Sequence, residues 1–285
     1  MEQKPVDGWE VLEPPSVDIA QKYLDEADAV ATRRERAVDR RALARLQIVN
    51  AVATAAYLAV MTLVLRGDSA LESQTIVFSF LVWVQLASGI AQRSGMQRRF
   101  SWSRWPELLA GGLLVAAVLV VFCFAIWAPG FPAIGALIPS AIVLFGLGGY
   151  GAVQLVRASG DVRPPRAYSR PLSRVHRRGT ILVGVALAVL IMLASAPDGV
   201  LASALALIVV LVLATWMFAF SADLGLPSIG ASWRWPQLAA FAVAVSALAS
   251  VVLLEIPIAG GALVGAAVIT LFVAVSFAPG RDLRD

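Results

Sequence analysis

Eight apolar stretches constrain this chain more than anything else in it: residues 46–65, 75–91, 108–127, 133–156, 180–196, 200–220, 237–254 and 258–277. A hydrocarbon core about 30 Å thick is crossed by roughly 20 helical residues, so each stretch predicts a membrane-crossing helix. Composition agrees. Hydrophobic residues make up 59% of the 285 and charged residues 15%, against about a quarter charged in soluble domains. The expected fold is an all-α integral membrane protein of eight transmembrane helices. Its first apolar run lies behind a long acidic and then basic segment, so no cleavable leader is expected.

Basic residues near span ends are retained on the cytoplasmic side, and here they are unevenly spread. Eight lie before the first span, four in the loop 92–107, and seven in the loop 157–179, from Arg157 to Arg178 just before Gly179. Arg234 follows the sixth span, Arg281 and Arg284 follow the eighth, and the remaining loops hold only Arg66. The prediction is a multi-pass protein of the plasma or inner membrane with both termini cytoplasmic. Basic excess is then a topology signal and implies no nucleic acid. Anionic headgroups are the expected partners of the run Arg33, Arg34, Arg36, Arg40, Arg41 and Arg45, and of the loop 157–179.

The chain also repeats itself. SWSRWPELLA, from Ser101, returns as ASWRWPQLAA, from Ala231; LAV at Leu58 returns at Leu187; Trp83 and Trp216 each mark a second span; and FPAIG from Phe131 parallels IPIAG from Ile256. Four matches in order predict a duplication. Each half has an even number of spans, so the repeats should be parallel, related about the membrane normal. The organisation expected is a cytoplasmic segment 1–45 with an amphipathic, basic-ended helix, repeat 1 at 46–156, a basic linker 157–179, repeat 2 at 180–278 and a tail 279–285. Trp102, Arg104, Trp105, Trp233, Arg234 and Trp235 read as interfacial anchors at helix starts, where an indole spans acyl chain and headgroup. The two copies differ in charge at Glu107 against Gln237.

Several chemistries are excluded. GLGGYG, from Gly146, matches G-x-G-x-x-G but lies inside a span without a βαβ unit or a following acid. As a potassium-filter motif it lacks the preceding threonine and valine. Close helix packing is the simpler role. The one histidine, His176, and one cysteine, Cys123, form no metal-ligand or nucleophile set, so no catalytic residue, metal or cofactor is expected. Within the spans, Asn50 and Gln85 are the polar residues in most need of partners, either a neighbouring helix or a ligand, and Pro139 could break the fourth span. With Glu107 they are the candidate intramembrane contacts. Two readings stay open. A transporter or permease-like protein for a small molecule is preferred, with a mid-membrane cavity between the halves as its signature; the other is a non-enzymatic scaffold or accessory subunit, with the N-terminal helix free for a protein partner.

Overall fold

A computed structural model describes residues 16–281 except 37, 67–69, 96–104, 129–131, 133, 162–168, 198 and 220–221. It divides into two compact units, 1–38 and 39–285. The first contains α1 (Val17–Arg36). The second carries α2 (Arg40–Leu65), α3 (Ala70–Arg93), α4 (Trp105–Trp127), α5 (Ile138–Arg157), α6 (Arg174–Ala194), α7 (Val200–Phe218), α8 (Leu226–Ser232), α9 (Trp235–Leu253) and α10 (Ile258–Ser276). Two three-residue strands, β1 (Ser169–Pro171) and β2 (Pro279–Arg281), pair antiparallel with Arg170 opposite Gly280.

Seven helices are long and apolar enough to cross a membrane: α2, α3, α4, α5 with its flanking turns, α6, α9 and α10. The chain is thus a multi-pass helical protein whose surroundings are a lipid bilayer. Eight spans were expected. The eighth apolar helix, α7, is as long as α9 and α10 at nineteen residues but is not among the seven, its described apolar stretch being Ala202–Phe218. Apolar side chains such as Leu113, Phe145, Leu207 and Leu263 face outward, as a chain dissolved in lipid permits.

Helix starts follow local chemistry. Asp39 caps α2 by accepting from the Ala42 N–H at 2.9 Å, and Ser173 caps α6 by accepting from the His176 N–H. Trp–Pro opens both α4 and α9, with proline in the first turn where its missing N–H leaves no bond unmade. Pro139 plays the same part in α5. It follows a 3-10 turn at Gly135–Leu137 and lies in the first turn of a helix that then runs unbroken to Arg157, so it does not interrupt the span. The glycine cluster 146–151 is helical throughout. α9 closes in a Schellman turn: Ile256 N–H bonds Val251 O at 3.1 Å, and Glu255 takes the left-handed position at φ 50° that usually belongs to glycine.

Packing is organised the same way twice. The most extensive helix contacts are α2 on α5 and α6 on α10, the first and fourth long helices of each half. Both depend on small residues. A Cβ on Gly151 would come within 2.9 Å of Ile48, and one on Gly184 within 2.4 Å of Phe272. The halves meet through α3, which touches α6, α7, α8 and α9 as well as α2. One core cluster therefore spans the seam, from Tyr57 and Leu86 to Leu187, Phe241 and Phe272.

Candidate functional site

The seam between the halves is where a ligand cavity was expected, and the side chains there are committed to one another. The Trp83 indole N–H donates to Asn50 Oδ1 at 3.0 Å, joining α3 to α2, and the buried Trp83 ring lies 5.7 Å from Phe241 of α9. Asn50 thus has a neighbouring helix as its partner. Gln85 is half-buried and takes no part in this bond, being about 200° further around α3. Three buried hydroxyls donate to carbonyls of their own helices: Thr62 to Leu58, Thr75 to Glu72 and Ser79 to Ile76. The Tyr57 hydroxyl is buried beside Ser79 without a hydrogen bond of normal geometry. Two depressions among the described residues are lined by single helices. They are open apolar grooves, one on α7 along Leu211, Thr215 and Trp216, the other on α4 along Trp105, Leu109 and Leu113.

A second hydrogen-bonded chain links the halves at their basic end. α8 lies directly on the last turns of α3. A Cβ on Gly89 would sit 1.8 Å from Pro227 O and one on Gly230 2.2 Å from Leu86 O, so the two backbones touch. Arg93, at the end of α3, donates to the carbonyls of Ala231 at 3.0 Å and of Trp233. A guanidinium at a helix C-terminus satisfies open carbonyls and opposes the dipole. Trp233 then turns its indole inward, donating to Thr180 Oγ1 at 3.0 Å, and Thr180 donates to His176 O at 2.9 Å. The His176 ring lies between two hydroxyls, Nδ1 at 2.9 Å from Ser173 Oγ and Nε2 at 3.2 Å from Ser228 Oγ of α8.

The anchor residues consequently divide. Trp233 is 0% exposed and packs on Phe241 and Phe272. With none of its surface available to headgroups, it is a core residue and not an interfacial anchor. Trp235 is 77% exposed and Trp105 is also exposed. The Arg234 backbone N–H donates to Gln237 Oε1 at 3.0 Å, while Gln237 Nε2 donates to Val275 O of α10 at 3.2 Å. Both ends of this buried amide are therefore used. Trp102, Arg104 and the side chain of Glu107 lie outside the described residues.

Sequence reasoning missed α8, Arg93 and the Trp233 to Thr180 bond. It also assigned Arg41 to lipid headgroups, whereas Arg41 donates to Ala158 O at 2.7 Å and to Ser159 O, closing the C-terminus of α5. Arg177 stacks over the Phe277 ring at 4.6 Å. These residues could have been suspected only as basic side chains near helix ends, since their partners lie a hundred or more positions away. No group of three His, Cys, Asp or Glu that could hold a metal occurs among the described residues.

No curated protein and no solved structure matches the chain. Residues 25–153 match the family model for the C-terminus of cation transporting ATPases. That stretch runs from the second half of α1 to near the end of α5, so the similarity to a transport-related membrane family covers the first half of the molecule.

Proposed function

We propose that this chain is a non-enzymatic membrane subunit of a cation-transport assembly, and that it provides a packed helical support with no ion path of its own. The family match over residues 25–153 motivates the transport context. The observation that favours support over conduction is the seam. Trp83, Asn50 and Phe241 are packed against one another between the halves, where a path would run, and among the described residues no Asp, Glu, Lys, Arg or His of the kind that marks ion pathways joins them. The second reading, a permease for a small molecule, draws on the same family match and calls for a polar cavity between the halves.

The proposed topology has α7 crossing as the eighth span, with parallel four-helix halves, cytoplasmic termini and a plasma or inner membrane location. Seven crossings would put the residues before α2 and after α10 on opposite sides, against the charge bias of both. Support for the duplication comes from packing: the first and fourth helices pair in each half, and both pairs are fastened at the same end. Arg41 fastens α2 to the end of α5, and the β1–β2 ladder fastens the start of α6 to the end of α10. Anionic headgroups against exposed Arg40 and Arg45 belong to the same proposal.

Purified chain reconstituted into liposomes tests it by potassium, sodium, magnesium and calcium flux. The expected result is flux no greater than in empty liposomes. Flux that saturates with cation concentration and is lost in Trp83→Ala would overturn the support reading in favour of transport by the chain itself.

A further inference from the structure

α6 begins against its own electrostatics. Arg174, Arg177 and Arg178 fall at i, i+3 and i+4 in its opening turns, so the three share one face of the helix. Like charges at that spacing repel, and cations at a helix start oppose the dipole. Carboxylates would offset both costs. The first turns of α6, α8 and α9 contain none, and the sequence holds no Asp or Glu between Asp161 and Asp198.

Arg174 and Arg178 are exposed. Arg177 is half-buried with its guanidinium 4.6 Å above the Phe277 ring, and its buried Nε has no hydrogen-bond partner among the described residues. α2 handles its basic start differently: Asp39 caps it, and Arg41 is spent on the carbonyls of Ala158 and Ser159. The α6 cluster has neither outlet, and an anion with several oxygens would relieve it.

Depth names the anion. The bonds from Trp233 to Thr180 and from Gln237 to Val275 gather the starts of α6 and α9 and the end of α10. At this end Trp235 is 77% exposed and Phe277 62%, and aromatic rings exposed beside arginines mark the headgroup level of a bilayer. Leu182, one turn beyond Arg178, is an exposed apolar side chain along which an acyl chain can lie. Guanidinium forks match the oxygens of a phosphodiester.

We infer that Arg174, Arg177 and Arg178 form a binding site for the phosphate of an anionic phospholipid. This goes beyond the support reading and holds whether or not the chain conducts cations. It also narrows the general attraction of a basic loop to one bound headgroup.

The full chain is tested in nanodiscs of mixed phosphatidylglycerol and phosphatidylcholine, with the lipid retained on release identified by native mass spectrometry. Phosphatidylglycerol should be retained in preference. Arg174→Gln combined with Arg178→Gln should lower that preference about tenfold. Arg40→Gln with Arg45→Gln, which removes the same charge from α2, should change it less than about twofold. Thermal unfolding gives a second readout. In phosphatidylcholine alone the α6 variant should melt no lower than the unmodified chain, because it loses repulsion, and the rise in Tm that phosphatidylglycerol gives the unmodified chain should be absent from it. Equal loss of preference in both variants, a lower Tm of the α6 variant in phosphatidylcholine, or a phosphatidylglycerol effect that survives in it would each overturn the inference. So would millimolar inorganic phosphate that stabilises the chain in phosphatidylcholine as much as phosphatidylglycerol does, since the site would then take a free anion. Cation flux is read separately, so failure here leaves the transport question on its own measurement.

Discussion

The two halves open their third long helix with the same Trp–Pro pair, yet build different surroundings for it. At α9 the preceding residues form α8, lock onto α3 through Gly89 and Gly230, and bury Trp233. Along its apolar window 39% of α9 is buried, against 11% of α4. α4 keeps Trp105 exposed, and a Cβ added at Gly111 or Gly112 would meet nothing within 4 Å. The same Trp–Pro helix start can thus sit beside a core or on a lipid face. What separates the cases is whether a partner backbone comes close enough to exclude side chains.

The sharpest way to break this comparison is to add a methyl group on each side. Gly89→Ala drives a Cβ into Pro227 O, a backbone atom that cannot swing away, and should cost about 3 kcal/mol or lose the folded protein. Gly112→Ala in α4 should stay within about 0.5 kcal/mol. Thermal unfolding in one detergent measures both, and equal effects would remove the distinction.

The tryptophan pair is comparable in size. Trp233→Ala removes a fully buried ring and its bond to Thr180, for an expected loss of about 3–5 kcal/mol. Trp235→Ala should cost under about 1 kcal/mol. Denaturant midpoints of the two variants would show the gap, and a larger loss at Trp235 would mean that the exposed ring has a partner in the membrane.

Gln237→Glu makes the start of α9 resemble that of α4, where Glu107 follows the Trp–Pro pair. The carboxylate would still accept from the Arg234 N–H but could not donate to Val275 O, and it would be buried. About 2–3 kcal/mol should be lost. Thermal unfolding at neutral pH, repeated at low pH where the acid is protonated and regains a donor, should show part of the loss recovered. The smallest effect expected is a gain: Glu255→Gly relieves the left-handed residue of the Schellman turn and should stabilise by about 1 kcal/mol, seen as a raised Tm.

Helix positions were legible because apolar length and Trp–Pro starts are local signals. The role of Pro139 was not, since a proline within an apolar run reads as a break until the preceding 3-10 turn shows it to be a start. α8 was hidden for a different reason. LPSIGAS is too short to cross a membrane and too apolar to read as a surface loop, and what makes it a helix with a purpose is α3, more than 130 residues earlier. Trp233 misled because an indole at a span end is as suitable for headgroups as for a core. Gln237 and Arg41 were seen as polar residues, but which carbonyls they reach depends on contacts between distant helices.

The two fastenings differ in when they can be made. Arg41 finds Ala158 and Ser159 as soon as α5 has left the ribosome, whereas β1 must wait for β2, about 110 residues later. At about 5–20 residues per second that interval is about 6–22 s. For about the opening half of it α3 stands in the bilayer with Gly89 and Leu86 uncovered, because α8 begins about 55 residues after β1. The first half must therefore survive its own incompleteness, and the arginine clasp closes it in time to do so.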